Sequence, residues 1–173
     1  ASGADRHRNA ELYQLLFQHL RHKKIAVLQL GSSRNDNDYA SSQVWLNYLP
    51  KAKIHLMNDA EICALEHPSF SHKSANLDDT DEVNETLLAL PDYDIIIDEA
   101  YPVSHRQQRN FLQFFEKLKP GGIYAIEGLR WQPRRDERSG HTKTGTLFKG
   151  FQHTRKFKHS DPDLQLAFNQ VAP

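Results

Sequence analysis

Apolar residues recur along this 173-residue chain in two alternating rhythms. Leu12, Leu15, Leu16 and Leu20, with Tyr13 and Phe17 beside them, fall at helical spacing and predict an opening amphipathic helix over 9–21. The run Ile25 to Leu30 has no helical period and stops at Gly31, the pattern of a buried strand. A polar loop over 32–38 then leads into a predicted helix over 39–48, closed by Pro50. The alternation repeats: a strand over 53–57, a short helix over 60–65 before Pro68, and a weaker strand over 71–75. A helix over 81–90 follows, with Thr80 as its N-cap and acids in its first turn, where they suit the helix dipole. The three isoleucines of 94–97, bounded by acids, predict the clearest strand. A helix over 105–118 carries Phe111, Phe114, Phe115 and Leu118 on one side, and Lys119-Pro120-Gly121-Gly122 breaks it before a last strand over 123–126. Beyond Trp131 the rhythm dissolves: 132–145 reads as a loop and 146–151 as one more helix, with no strand pair after it.

Strand–helix alternation at this pace predicts an α/β domain: a Rossmann-like, doubly wound, mostly parallel sheet, truncated after its fifth strand. In such sheets a ligand sits beyond the carboxyl ends of the strands, where strand order reverses. The residues to question therefore follow strands: Gly31 onward, Asn58 and Asp59, Asn76 to Asp79, Asp98 and Glu99, and Glu127 and Gly128.

Composition narrows the class. No apolar run is long enough to span a membrane, so no membrane role is expected. The single cysteine, Cys63, excludes an internal disulfide and a cysteine-based zinc site, and suits a reducing, cytoplasmic setting. Net charge is zero but uneven: Arg130 to Lys158 holds nine Lys/Arg against Asp136 and Glu137, a local +7 that the rest balances. This segment fits either a solvated tail or a surface that gathers an anionic small-molecule substrate. The domain is expected over 1–150 and a basic C-terminal tail over 151–173, with His141, His153 and His159 as surface residues. Aromatic interleaving is sparse there, which ranks a nucleic-acid partner last. Gly31 lacks the G-x-G-x-x-G spacing of nicotinamide-binding domains. Patterning says nothing about oligomeric state, and a chain that begins at Ala1 is compatible with a piece of something longer.

Two stretches carry a resemblance: Asp94-Ile95-Ile96-Ile97-Asp98-Glu99-Ala100, and Leu118-Lys119-Pro120-Gly121-Gly122 running through Ile126-Glu127. Together they resemble the fourth-to-fifth-strand section of S-adenosylmethionine (SAM)-dependent methyltransferases. More narrowly, they are similar to the macrolide and sugar O-methyltransferase group, where an acidic "DDGSH" follows strand four and "IED" ends strand five. Asp5-Arg6-His7 through Leu12-Tyr13 and Trp45 to Ile54 resemble the same group, so the likeness covers about residues 5–150.

The resemblance implies SAM as cofactor and Mg2+ beside it. It places Gly31 and Ser32 at the cofactor's methionine end, Asn58 and Asp59 at the ribose, and Asn76 near the adenine; Asp98, at the end of strand four, is expected either to cap a loop or to contact the cofactor. It makes Glu99 and Glu127 metal ligands and catalytic acids. Departures are equally specific. Ser32 to Asp38 is longer than the usual turn, Gln29 stands where an acid is common, and Asn58 replaces the usual ribose acid. Tyr101 and Pro102 take the Ser and His of "DGSH", and Gly128 replaces the last acid of "IED". Proline cannot accept a proton, which leaves His105, three residues on, as the substitute base.

Two functions follow. One is SAM-dependent O-methylation of a hydroxyl on a sugar, polyketide or other small metabolite. The other is a catalytically degenerate methyltransferase fold with a structural or interaction role in a larger biosynthetic protein.

Overall fold

A computed structural model describes residues 3–31, 39–60, 64–129 and 135–171. Helix α1 (Gly3–Phe17) continues through a 3-10 turn, Gln18–Leu20, into strand β1 (Ala26–Leu30). Then come α2 (Ala40–Tyr48), β2 (Lys53–Asn58), β3 (Phe70–Ser74), α3 (Thr80–Leu88) and β4 (Tyr93–Asp98). Helix α4 (Ser104–Phe114), β5 (Leu118–Ile126), α5 (Thr144–Thr154) and α6 (Pro162–Val171) complete the order. The strands form one sheet, β3-β2-β1-β4-β5, with every ladder parallel. All five predicted strands are present, β5 beginning five residues earlier than expected. Strand order reverses between β1 and β4, so the crevice of a doubly wound fold lies beyond Leu30 and Asp98.

Side chains on successive strand residues point to opposite faces. Val27, Ile54, Ile95 and Ile97 pack with Phe17 of α1 and Trp45 of α2. Leu28, Leu30, Met57 and Ile96 pack on the other face, with Val83 and Leu87 of α3 and Phe114 of α4. A third cluster joins Phe111 of α4 to Leu147 of α5, Phe157 and Phe168 of α6. The domain boundary expected after residue 150 falls inside α5, and Phe157 and Phe168 beyond it are buried.

Several boundaries differ from expectation. The N-cap of α3 is Asp79 rather than Thr80: its Oδ1 accepts from the amides of Asp81 (3.0 Å) and Glu82 (3.1 Å), and Thr80 is the first helical residue. The helix predicted over 105–118 ends at Phe114 and a 3-10 turn, because Leu118 already pairs with Tyr93. Two steps along β4, Tyr93 to Ile95, then face five along β5, Leu118 to Ile123. The Lys119–Gly122 turn is thus a bulge within β5, with Gly121 at φ 78°. Of the short helix predicted over 60–65, residues 61–63 lie outside the described residues, and Ala60, Ala64 and Leu65 are not helical. Among the described residues no helix is long and apolar enough to cross a membrane.

Candidate functional site

The two-residue period sorts the strand-end acids. Glu99 continues the Ile95–Ile97 series toward α1 and α2, while Asp98 continues Ile96 toward α4. Asp98 is 1% exposed; its Oδ1 accepts from the Ala100 amide (3.2 Å) and its Oδ2 from Asn110 Nδ2 (3.2 Å). Burial pushes its pKa up to about 7, against the pull of those hydrogen bonds. Its own burial, and then the charge of Asp98, raise the neighbouring Tyr124 hydroxyl well above the ordinary phenol value. Asp98 is therefore an internal group under α4. Strand pleating turns it away from Glu99, and its Oδ1 caps the turn at Ala100.

Glu99 joins a polar cluster at the switch point. Gln29 Nε2 donates to Glu99 Oε1 and to Ser41 Oγ (2.6 Å), and Ser41 Oγ donates to Glu99 Oε1 (2.7 Å). Ser42 Oγ donates to Gln29 Oε1 (2.7 Å), which fixes the orientation of the buried amide. An acid in place of Gln29 would set two carboxylates side by side; the amide offers Glu99 a donor instead. Gln29 interrupts an apolar strand, and that was the sequence signal for its role.

Gly31 ends β1 with its amide donating to the Met57 carbonyl (3.0 Å). A Cβ there would stand 3.1 Å from Leu56 Cδ1 and 3.9 Å from Asn58 Nδ2, so the glycine lets β1 and β2 end close together. Asn58 is buried, and its Oδ1 accepts from the Ala60 amide (3.1 Å) and from His72 Nε2 (2.8 Å). His72, whose pKa burial lowers, thus carries its proton on Nε2 and orients the Asn58 amide. Asp59 beside it is exposed. Asn76 is exposed too, and its Oδ1 accepts the Asp78 amide (3.0 Å) in a tight turn before α3. Ser32 lies outside the described residues.

Glu127 continues the β5 series toward α1, where Tyr13 Oη donates to its Oε1 (2.6 Å). The Tyr13 ring packs against Phe17 and edge-on against Trp45. Burial raises the Tyr13 pKa far above 10, aided by the charge of Glu127, its hydrogen bond and the charge of Glu99. Tyr13 is therefore a neutral donor to Glu127, with the charge of Glu99 near enough to act on it. As a metal centre this is a partial fit. Two carboxylates are present and water fills other positions around Mg2+, but each Oε1 already accepts a hydrogen bond. Among the described residues no three His, Cys, Asp or Glu group together as metal ligands.

His105 does not join the glutamates. Its ring lies edge-on to His141, with centroids 6.2 Å apart. Burial lowers its pKa, with further lowering from Arg138, Arg106, His141 and Arg109. Two of the positions that depart from the resemblance lie close together: a Cβ at Gly128, which sits at φ 74°, would lie 3.2 Å from Pro102 Cβ. Gln107 Nε2 closes this corner by donating to the Glu127 carbonyl (2.9 Å).

No protein-family model matches the chain. It is 28% identical over 121 residues to an 8-demethyl-8-(2-methoxy-alpha-L-rhamnosyl)-tetracenomycin-C 3'-O-methyltransferase of Streptomyces olivaceus, covering 68% of this chain and 31% of that protein. A tetracenomycin-C 2'-O-methyltransferase of the same organism is 24% identical over 127 residues, covering 72% and 34%. Demethylmacrocin O-methyltransferase of Streptomyces fradiae is 21% identical over 120 residues, covering 68% and 30%. The chain thus spans about a third of the length of these curated relatives. Among solved structures, the MycE methyltransferase of the mycinamycin biosynthetic pathway, in complex with Mg and SAH, superposes with a TM-score of 0.68 at 18% identity. That match covers 83% of this chain and 42% of MycE. The chain has the class I SAM-dependent methyltransferase fold and is similar to the sugar O-methyltransferases of macrolide and tetracenomycin pathways.

Proposed function

We propose that this chain is the cofactor-binding part of a SAM-dependent O-methyltransferase acting on a hydroxyl of a sugar, polyketide or other small metabolite. The observation that carries the reading is that Gly31, with Asn58 beside it, and Glu99 follow neighbouring strands at the switch point, in a chain similar to sugar O-methyltransferases. Gly31 would let the backbone approach the methionine end of the cofactor. Asn58 Nδ2, on the Gly31 side of a carbonyl already held by Ala60 and His72, would donate to a ribose hydroxyl; exposed Asp59 would accept from one. Asn76 would border the adenine. A bound cofactor would supply a sulfonium methyl group, and Mg2+ a Lewis acid that lowers the acceptor hydroxyl's pKa.

The chain's own residues then orient the acceptor. Glu99 and Glu127 would receive the acceptor hydroxyl or hold the metal, and the acid/base role falls to Glu127, which already holds a phenol hydrogen at 2.6 Å. The basic run from Arg130 to Lys158 would gather an anionic substrate. The single cysteine supports a cytoplasmic setting.

Calorimetry with SAM and with S-adenosylhomocysteine tests the reading. Binding of both is expected, weakened by Asn58→Ala; no heat from either at millimolar concentration would sink it. A second reading, a methyltransferase fold kept as a structural module, is favoured by the Pro102–Gly128 contact, which fills two motif positions without a base or an acid. Cofactor binding without transfer to any tetracenomycin- or macrolide-type glycoside would favour that reading.

A further inference from the structure

Helix α4 separates two surfaces of opposite charge. Its Phe114 packs against Val83 and Leu87 of α3, and its Phe111 against Leu147 of α5, so α3 and α5 lie on either side of it. No Lys or Arg occurs between Lys73 and Arg106, and α3 with its N-cap presents Asp79, Asp81, Glu82 and Glu85 exposed. No Asp or Glu occurs between Glu137 and Asp161, where Lys143, Lys149, Arg155, Lys156 and Lys158 are exposed. Among the described residues no salt bridge reaches any of these side chains. His153 is exposed on the basic face, as expected. His141 and His159, also expected at the surface, instead cluster on buried Gln108 of α4, whose Oε1 accepts from both Nε2 atoms (3.0 and 2.8 Å).

Each face has an order along its helix. Asp81, Glu85 and Leu88 fall at i, i+4 and i+7, one stripe of α3. Leu88 is 87% exposed, the barest large apolar side chain among the described residues. An acidic stripe that ends in a bare leucine suits a partner with cationic heads on aliphatic stems. On α5, Lys149 and His153 share the side away from buried Leu147, and Arg155 and Lys156 follow directly. Arg155 caps α5 at φ 55°, where glycine is favoured, and is the only non-glycine residue with positive φ among the described residues. The turn itself has no use for that side chain, so its exposed charge accounts for its presence.

The complement that each face lacks is carried by the other. We infer that the basic face of α5 docks on the acidic face of α3 in a second copy of this chain, with Leu88 under the lysine stems. The two faces are distinct and lie on opposite sides of α4, so the contact is head to tail and leaves one face of each kind free at the ends. Exposed charges are screened beyond about 8 Å at physiological salt, so the association is weak and salt-sensitive. The inference is independent of the proposed methyl transfer; it gives Lys143 to Lys158 a protein partner and leaves Arg130 to Arg138 for an anionic substrate.

Sedimentation velocity at about 20 mM and about 500 mM salt tests this. The parent is expected to associate as its concentration rises at low salt, with affinity falling about tenfold or more at high salt. Lys149→Glu/Lys156→Glu should be a monomer alone, and so should Asp81→Lys/Glu85→Lys. An equimolar mixture of the two should associate, because each then offers the face that the other needs. Should the α3 variant not fold, the lysine variant decides: it must bind the parent through its intact α3 and yet not bind itself. A parent that stays a monomer at low salt overturns the inference, as does association that survives high salt or the lysine reversal. Retention of a monomeric parent on an RNA column would assign the basic face to a polyanion and overturn it equally.

Discussion

Asp98 and Glu99 are neighbours in sequence whose carboxyls lie on opposite sides of the sheet, one sealed under α4 by Asn110 and the other held at the switch point by Gln29 and Ser41. One step along a pleated strand separates a group that titrates near neutrality in the core from one at the rim of the crevice.

The sealed carboxyl makes stability depend on pH. The folded-state pKa of Asp98 is raised to about 7 from 3.8. Its contribution is therefore fully present below the unfolded value and lost as pH rises through about 7. Asp98→Asn removes the charge and keeps an acceptor for the Ala100 amide. Urea midpoints should show the variant more stable than the parent by a few kcal/mol at pH 8, and by distinctly less at pH 5. Equal differences at both pH values would refute the assignment.

Tyr13 separates packing from hydrogen bonding. Tyr13→Phe keeps the ring against Phe17 and Trp45 and removes only the donor to Glu127. We expect a loss of about 1 kcal/mol by urea denaturation. Tyr13→Ala, which also empties the aromatic cluster, should cost roughly 3 kcal/mol or more.

Gly31 is a test of close approach. Its φ lies outside the left-handed region, so alanine meets no backbone strain, only Leu56 Cδ1 at 3.1 Å. Gly31→Ala should cost about 1 kcal/mol, and Gly31→Val more. Adding Leu56→Ala should reduce the penalty of Gly31→Ala in a double-mutant cycle.

Gly128 carries both kinds of constraint. At φ 74° and with Pro102 Cβ 3.2 Å from its missing Cβ, Gly128→Ala should cost about 1–3 kcal/mol. Pro102→Gly in the same chain should recover the contact portion and leave the backbone portion. Full recovery in thermal melts would show that the positive φ carries no cost.

The strands were legible because a buried parallel strand has a distinctive composition: Ile25 to Leu30 and Asp94 to Ile97 need no tertiary information to be read. Gly31, Asn58, Glu99 and Glu127 were legible as strand-end residues for the same reason. Which way each side chain points was legible in principle, since Glu99 shares parity with Ile97 and Asp98 with Ile96, yet the acidic motif drew both toward one site. The partner of Glu127 was out of reach: Tyr13 is 114 residues away, and no local rule brings a helix back to a distant strand end. The histidine cluster was hidden by charge. The basic run from Arg130 to Lys158 reads as solvated, while Leu147, Phe157 and Phe168, spread through it and beyond, bury that segment against α4.

Strand β1 borders both β2 and β4, but β4 is completed only at Asp98, so the order in which the chain emerges matters. Until then Val27 to Leu30 has one paired side and one bare edge. Closing it spans the 70 residues between Gln29 and Glu99, a slow, non-local event. The crevice is therefore assembled only once β4 has emerged. A nascent chain halted between α3 and β4 would present an apolar, unpaired central strand, the form most prone to join another chain edge to edge.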